Sequence, residues 1–333
     1  MSRIGWYGLG SMGLAMATNL QRHLATKRAL NLVYSNRTMA RGDTLKSLGA
    51  LPEPSFPNLV AQCGIIFTMV LLPHPPPPKY MYMHTNGLQV SNDTVLNHLI
   101  TTAISSGHSL KDKIFVDCST VHPQTVGLTV SALKDKQASF LAAPVFGGNP
   151  IAVDGKLVFA LGGPRDAAEV VKPLIQDVMG RRIIECGENA SKASLLKIAG
   201  NIVTVNLMEA VGEAQVFAER TGLGTAPMEE LIGEAFGAVA GGYSKRLTTG
   251  AYAPPLDSRP GFGVSLAIKD ANHALTIAKE HNVPLPGLQV ARENILAARD
   301  YAGECLDSSS MYGVLRQQAG LEFWNEKSRK GGK

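Results

Sequence analysis

The feature that most constrains this chain is a glycine pattern that lies between an apolar run and a helix-like segment. Residues 4–7 are apolar, and Gly8, Gly10 and Gly13 follow in the spacing G-x-G-x-x-G, ahead of apolar residues with helical period. The first glycine permits a tight turn, the second admits a pyrophosphate close to the backbone, and the third lets the helix pack on the strand. The pattern therefore predicts a dinucleotide site whose anion faces the amides that begin the helix. Its predicted cofactor-binding residues are Gly8, Leu9, Gly10, Ser11, Met12 and Gly13.

The residues after the second apolar run indicate which dinucleotide is preferred. Residues 30–34 are followed by Asn36, Arg37 and Thr38, at the place where this fold meets the adenosine ribose. An acidic residue there would bind a free 2′-hydroxyl and repel a phosphate, whereas Asn36 and Arg37 favour the phosphate. We therefore predict NADP(H) as the preferred cofactor, with NAD(H) possible. The alternative is that Arg37 is an ordinary solvated arginine; Arg41, one helical turn later, would add a second charge.

The order of apolar runs predicts an α/β fold with a Rossmann-type, doubly wound, mostly parallel sheet, followed by an all-α domain joined by a long helix. Strands are predicted at 4–7, 30–34, 65–72, 114–117, 139–142, 157–161 and 183–186. Helices are predicted at 190–216, 226–236, 262–281, 285–302 and 311–321. We place the boundary after residue 187, giving an NADP-binding domain at 1–187 and a helical substrate and oligomerisation domain at 188–333.

Two segments of the first half do not follow the strand and helix alternation. Residues 73–78 contain five prolines, which predict a rigid loop at the carboxyl end of a strand. Residues 92–113 are polar and weakly periodic, which predicts a surface excursion with a short helix. Each segment is therefore expected to lie outside the regular elements of the sheet.

Composition and charge limit which ligands and which cellular location are expected. The net charge of +5 and the scattered basic residues argue against nucleic acid as the main ligand. No apolar run approaches the ~20 residues that cross a bilayer, so no membrane contact is expected. Four widely spaced cysteines, with no cluster at metal-ligand spacing, predict reduced thiols, no metal and a cytoplasmic protein. The first predicted strand begins at residue 4, so no targeting peptide is expected.

Four short segments could carry chemistry. Lys197 and Asn201 are four residues apart and so share one helical face, where a lysine either reaches the surface by its long stem or serves in a functional cleft. Residues 117–120 end a strand with a carboxylate, a thiol and two hydroxyls, which could equally cap the next helix. Gly147 and Gly148 could expose amides to a carboxylate or simply form a turn. Residues 262–270 read as an amphipathic helix whose Lys-Asp pair is solvated, or as part of the site.

Taken in order, these pieces resemble the β-hydroxyacid dehydrogenase family over nearly the whole chain. That family includes 3-hydroxyisobutyrate dehydrogenase and the glyoxylate/succinic semialdehyde reductases. The resemblance rests on G-L-G-S-M-G at 8–13, N-R-T at 36–38, L-P at 72–73, N-G-L at 86–88, D-C-S-T at 117–120, A-P-V-F-G-G at 143–148, K-x-x-x-N at 197–201 and F-x-x-x-L-x-x-K-D at 262–270.

The resemblance implies a role for each motif residue. It makes Lys197 the general acid and base, which exchanges a proton with the carbonyl or alcohol oxygen of a small carboxylate or aldehyde substrate. It implies substrate-binding residues Ser119, Gly147, Gly148, Asn201 and Phe262. It implies further cofactor-binding residues Leu72, Pro73, Thr120 and Lys269. It also implies a homodimer or homotetramer paired through the helical domain.

The chain departs from the family at three residues and in one segment. Phe146 and Ala142 occupy positions where the family usually has serine and aspartate, and His122 occupies a usual aspartate position. The segment 92–113 is longer than usual. Phe146 removes a hydroxyl from the carboxylate site and adds bulk, which argues against the usual small hydroxyacids. Three alternatives share the architecture: an imine reductase or reductive aminase, a non-catalytic NADP-binding module, and a 6-phosphogluconate dehydrogenase. The first two usually lack the lysine found at position 197, and the chain is short for the helical domain of the third.

Overall fold

The computed structural model describes residues 2–70, 92–258 and 260–331. The chain folds into two compact units, Met1–Lys197 and Ile198–Lys333, here called the N-terminal and C-terminal units. The domain boundary expected after residue 187 stays a prediction.

Six described strands form a parallel sheet in the N-terminal unit. Their order is β3-β2-β1-β4-β5-β6, and neighbouring strands are parallel throughout. The strands are β1 (Ile4–Tyr7), β2 (Val33–Ser35), β3 (Leu51–Pro52), β4 (Ile65–Thr68), β5 (Ile114–Asp117) and β6 (Ser139–Ala142). The strand order reverses between β1 and β4, where open α/β sheets bind their ligands. The Rossmann-type sheet predicted from the apolar runs is therefore confirmed.

Three further described strands form a second sheet in the same unit. These are β7 (Val145–Phe146), β8 (Leu157–Leu161) and β9 (Gly180–Glu185), with β7 antiparallel and β9 parallel to β8. The runs predicted at 157–161 and 183–186 are strands, but they belong to this second sheet. The strands β3 and β7 were not predicted, because two residues are too few to show an alternating pattern.

Helices of the N-terminal unit pack apolar side chains on both faces of the parallel sheet. Neighbouring strand residues alternate between faces, so Phe67 and Ile66 belong to different buried clusters, as do Val116 and Phe115. The helices are α1 (Ser11–Thr26), α2 (Asp43–Ser47), α3 (Phe56–Gln62), α4 (Asn92–Ser105), α5 (Pro123–Lys134), α6 (Asn149–Val153) and α7 (Arg165–Ile175).

The segment 92–113 differs from its prediction. It contains the 14-residue helix α4, and four of that helix's side chains are buried in the cluster on one sheet face: Leu96, Leu99, Ile100 and Ala103. The surface excursion predicted here is therefore wrong. Polar residues dominate the average composition of the segment 92–113. The apolar residues at 96, 99, 100 and 103 nevertheless keep helical spacing, and they pack on the sheet.

The described C-terminal unit consists mainly of helices. The long helix α8 (Ala190–Arg220) begins in the N-terminal unit and ends in the C-terminal unit. It is followed by α9 (Thr225–Thr248), α10 (Val264–Glu280), α11 (Pro286–Ala302) and α12 (Met311–Gln318). Within α9 the helix breaks at Gly237, where φ is 81°.

The helix α8 carries an unusually apolar sequence. By its length and a mean hydropathy of 1.3 this helix could cross a bilayer. No apolar run of that length was predicted from the sequence. Its apolar residues contribute to packing in both units, with Ala193 in an N-terminal cluster and Val205 and Met208 in the C-terminal one. Two separate cores therefore draw on a single helix, while other apolar residues of that helix, such as Val203 and Phe217, are exposed.

Candidate active site

The glycine turn after β1 has no room for a Cβ at Gly8 or at Gly13. The φ of Gly8 is +98°, and a Cβ there would lie 2.2 Å from the carbonyl oxygen of Met69. A Cβ on Gly13 would lie 2.1 Å from the carbonyl oxygen of Gly8. Gly10 is extended and precedes the first residue of α1. The turn therefore directs the first amides of α1 to the carboxyl end of β1, which is the arrangement that a pyrophosphate requires.

Asn36 holds the glycine turn against the end of β2. Its Oδ1 accepts a hydrogen bond from the Leu9 amide over 2.9 Å, and its Nδ2 donates to the Thr38 carbonyl over 2.7 Å. The Gly8 amide donates to the Ser35 carbonyl at 3.1 Å. Asn36 therefore positions the loop, a task that residue identity alone did not reveal.

Arg37 and Thr38 are exposed beside this loop. Burial raises the pKa of Tyr7, and the positive charge of Arg37 opposes that rise. The guanidinium thus lies within electrostatic reach of the last residue of β1. An exposed cation at this edge is suited to a phosphate on the ribose, which is the group that the sequence predicted it to meet.

A buried carboxyl group joins the ends of β4 and β5. Oδ1 of Asp117 accepts hydrogen bonds from Oγ1 of Thr68 at 2.7 Å and from Oγ of Ser119 at 2.8 Å. The Ser119 hydroxyl in turn accepts one from the Val70 amide at 2.9 Å. Burial raises the pKa of Asp117 to about 6, although these hydrogen bonds lower it.

This network changes what Ser119 can offer. Its side chain is only 2% exposed, and its hydroxyl proton is committed to Asp117. The predicted substrate contact through that hydroxyl stays a prediction. To donate to a substrate, the Ser119 hydroxyl would first have to give up its hydrogen bond to Asp117. Thr120, the next residue, is half-buried. Leu72 and Pro73 lie outside the described residues.

The paired glycines follow β7 and are linked to the cofactor loop. Gly147 and Gly148 are exposed, and φ of Gly147 is +123°. Asn149, the next residue, donates from Nδ2 to the Ser11 carbonyl over 2.8 Å. The predicted substrate loop is therefore held to the predicted pyrophosphate loop by a hydrogen bond within one unit.

Lys197 lies against an aromatic ring. Its Nζ is 4.6 Å from the centroid of Phe146, the last residue of β7. Lys197 is half-buried on α8, so its ammonium group is not simply a solvated surface charge. A cation at this distance from a ring face is attracted by the ring's quadrupole.

In the C-terminal unit, a buried cluster collects three charged or polar side chains. Asn201 on α8 donates from Nδ2 to Oδ2 of Asp270 at 2.6 Å, and Nζ of Lys269 lies 2.9 Å from Oδ1 of the same carboxylate. Lys269 is 5% exposed and Asp270 is 3% exposed. The interpretation of Lys269 and Asp270 as a solvated pair is therefore wrong. Phe262, just before α10, packs against the C-terminal cluster.

Three residues that build this geometry were given no role from the sequence. Asp117 and Asp270 lie inside motifs quoted above, and each is the acceptor around which its neighbours are arranged. Asn149 follows the paired glycines and joins two loops. A carboxylate at a strand end or inside an apolar helix could have signalled the first two, because buried charges need partners. No local signal identifies the partner of Asn149.

Comparison with known families decides the class of protein. The NAD binding domain of 6-phosphogluconate dehydrogenase matches residues 3–187. The NAD-binding region of NADP-dependent 3-hydroxyisobutyrate dehydrogenase matches residues 191–315. The chain belongs to the β-hydroxyacid dehydrogenase family. Members of this family are NAD(P)-dependent enzymes, and the tight backbone at Gly8 and Gly13 fits the pyrophosphate of a nicotinamide cofactor.

Relatives of known activity extend over nearly the whole chain. An NADH-dependent oxidoreductase of Aspergillus ustus is 27% identical and covers 94% of this chain and 98% of its own length. The 2-hydroxy-3-oxopropionate reductase of Escherichia coli is 28% identical and covers 95% and 98%. The crystal structure of a 3-hydroxyisobutyrate dehydrogenase from Salmonella typhimurium superposes with a TM-score of 0.77 at 18% identity, covering 94% of this chain and 99% of that one. This β-hydroxyacid dehydrogenase therefore shares sequence with oxidoreductases and shares its fold with the crystallised enzyme.

Proposed function

We propose that this β-hydroxyacid dehydrogenase uses NADP(H) to interconvert a short β-hydroxyacid and its semialdehyde or ketoacid, with Lys197 as the general acid and base. The observation that carries the proposal is the position of Lys197, a half-buried residue whose Nζ lies 4.6 Å from the Phe146 ring in the unit that also contains the glycine turn. A lysine so placed is withdrawn from bulk water and can exchange a proton with a bound oxygen.

The residues that would hold the cofactor are those of the glycine turn and the end of β2. The first amides of α1 bind the pyrophosphate, and Arg37 pairs with the 2′-phosphate. Asn36 keeps the turn in place through the Leu9 amide. The bound nicotinamide supplies a hydride to the carbonyl carbon, or accepts one from the alcohol. NADP(H) preference rests on Arg37, whereas one relative is named as an NADH-dependent oxidoreductase.

Lys197 handles the proton that accompanies the hydride. In the reducing direction its ammonium group donates a proton to the carbonyl oxygen, and in the oxidising direction its neutral amine removes the proton from the hydroxyl. Asn201, on the same helix, is oriented by Asp270 and holds the substrate. The amides of Gly147 and Gly148 are exposed and remain available to a carboxylate.

We further propose that the enzyme pairs with copies of itself through the C-terminal unit and works in the cytoplasm. Val203 and Phe217 on α8 and Phe236 and Val239 on α9 are each 66–69% exposed. Large apolar side chains at that exposure favour burial against a partner. The four cysteines are unpaired, which suits a reducing compartment.

The experiment that tests the proposed activity is a panel of carbonyl acids with each cofactor. Glyoxylate, succinic semialdehyde, methylmalonate semialdehyde and tartronate semialdehyde are mixed with NADPH or NADH, and loss of the reduced nicotinamide absorbance is followed. Turnover with NADPH preferred supports the proposal. Turnover of none of them, with either cofactor, contradicts it.

A further inference from the structure

The aromatic ring beside Lys197 is a fixed part of its unit. Phe146 ends β7, where it lies opposite Val158 of β8, and its side chain packs against a buried N-terminal cluster. The ring face is therefore held by the second sheet and presented to Nζ of Lys197 at 4.6 Å. A ring face offers apolar contact and no hydrogen-bond donor.

The turn that follows the ring is also apolar on its inner side. A Cβ on Gly147 would lie 2.8 Å from Cδ2 of Leu157 and 3.0 Å from Cγ2 of Ile151. Ile151 and Val153, on the adjoining α6, are 42% and 53% exposed. The α6 side chain that borders the turn after Phe146, that of Ile151, is therefore aliphatic and accessible.

Side-chain donors that could hold a carboxylate near the strand ends are already engaged. The Ser119 hydroxyl donates to Asp117, and that of Thr68 donates to the same oxygen. A substrate group placed against Phe146 would thus lose water and gain no side-chain donor from these two residues. Such an exchange favours an apolar group on the ring itself, while the exposed Gly147 and Gly148 beside it can still meet a carboxylate.

We propose that Phe146 is a specificity-determining residue that selects carbonyl substrates with an aromatic or aliphatic substituent next to the reacting carbon. The substituent packs on the Phe146 ring and the aliphatic surface of α6, while Lys197 exchanges the proton at the carbonyl oxygen. This inference rests on the proposed function, since it assigns a substrate class to the same lysine.

Two matched pairs of substrates test it, each pair differing in an aromatic ring. Pyruvate is compared with phenylpyruvate, and methylmalonate semialdehyde with 2-phenyl-3-oxopropanoate, by kcat/KM with NADPH, so that every probe keeps its carboxylate. The wild-type enzyme is expected to prefer the aromatic member by about tenfold or more. Phe146→Ser, which removes the ring, lowers that preference about tenfold, whereas Phe146→Leu keeps most of it because bulk and apolarity remain. Leu128→Ser, at a side chain 63% exposed on α5, is the matched control and leaves the preference unchanged.

A pH profile distinguishes the effect of the Phe146 ring on the Lys197 ammonium from the effect of side-chain volume alone. The ring favours the charged ammonium, so Phe146→Leu is expected to move the alkaline limb of the kcat/KM profile to lower pH by about half to one unit. Phe146→Tyr, which keeps a ring face, leaves that limb in place.

The possible failures are distinguishable. Equal use of both members of each pair by the wild type, or a preference unchanged in Phe146→Ser, overturns the assignment of Phe146 and leaves the proposed function standing. Turnover of neither these probes nor the carbonyl acids overturns the proposed function, and this inference with it. The wild-type preference is a test that does not depend on any variant folding.

Discussion

Asn201 donates a hydrogen bond to Asp270 over 2.6 Å, between the helix α8 and the buried face of α10. The other oxygen of the Asp270 carboxylate pairs with Lys269 at 2.9 Å. One buried carboxylate therefore fixes the amide of a predicted substrate residue and the ammonium of a predicted cofactor residue. Loss of the Asp270 carboxylate is expected to lower the stability of the C-terminal unit, because the Asn201 amide and the Lys269 ammonium would be left in an apolar core without this partner.

Asp270→Ala is expected to destabilise the C-terminal unit by about 3 kcal/mol, since it leaves the Lys269 charge buried without its carboxylate. The double variant Lys269→Met/Asp270→Leu is expected to lose far less, because apolar groups of similar volume replace the pair. Urea unfolding in a Trp6→Phe background measures both, as Trp324 then reports the C-terminal unit alone. A double variant as unstable as Asp270→Ala would contradict the explanation.

Lys197→Ala is expected to lower kcat for carbonyl reduction about 10²- to 10⁴-fold, which is the usual contribution of a positioned acid or base. NADPH affinity, measured by fluorescence titration, should change little. Lys192→Ala is the matched control, because Lys192 is exposed on the first turns of the same helix. Retained activity in Lys197→Ala would remove the acid and base assignment.

Arg37→Ala is expected to weaken NADPH binding about 10- to 100-fold while leaving NADH binding almost unchanged, because only NADPH carries the 2′-phosphate. Dissociation constants for the two cofactors, determined side by side, check this. Arg22→Ala, at an exposed arginine on α1, is the control for a general loss of positive charge. Equal losses for both cofactors would contradict the predicted NADP(H) preference.

Glu209→Gln is expected to change how stability depends on pH. Burial raises the pKa of Glu209 from 4.5 to about 7; the Asn294 hydrogen bond lowers it and the Glu213 charge adds to the rise. The folded state therefore keeps the Glu209 proton up to about pH 7, whereas the unfolded chain releases it near pH 4.5. Because folding takes up a proton in that window, wild-type stability falls as pH rises through it.

The free energy of unfolding of the wild type should consequently decrease, relative to Glu209→Gln, by about 2 kcal/mol between pH 4.5 and pH 8. Trp324 fluorescence in the Trp6→Phe background confines the measurement to the C-terminal unit, away from Asp117. Parallel curves for the two proteins across this range would show that the carboxyl group ionises normally.

Phe236→Asp combined with Phe217→Asp is expected to reduce the oligomer to monomers, since charges would replace apolar side chains that are 69% and 66% exposed. Size-exclusion chromatography with light scattering gives the mass. Leu128→Asp, in the N-terminal unit, is the control. An unchanged mass, or a wild type that is already monomeric, would contradict pairing through this surface.

Most strands of the parallel sheet could be predicted because each of them is a local apolar pattern, whereas the two-residue β3 could not. The predicted bounds of β1, β5 and β6 agree with the structure, and the glycine spacing identified the turn after β1. The helix α4 was missed as a packed element because its four buried residues are diluted by polar neighbours. Its core role depends on the sheet face it covers, which a local average does not contain.

The sequence by itself determined the family, the glycine turn after β1 and most of the strands and helices, because spacing along the chain dictates them. The partners of Ser119, Asn149, Lys197 and Asp270 were decided only by tertiary structure. In the sequence Ser119 has the properties of a free hydroxyl, but in the structure it donates a hydrogen bond to Asp117. In the sequence Lys197 could be an ordinary surface lysine, but in the structure its Nζ lies beside the Phe146 ring. Residues 51 positions apart meet there because a strand of the second sheet and the long helix pack in one unit, and no local pattern encodes that meeting.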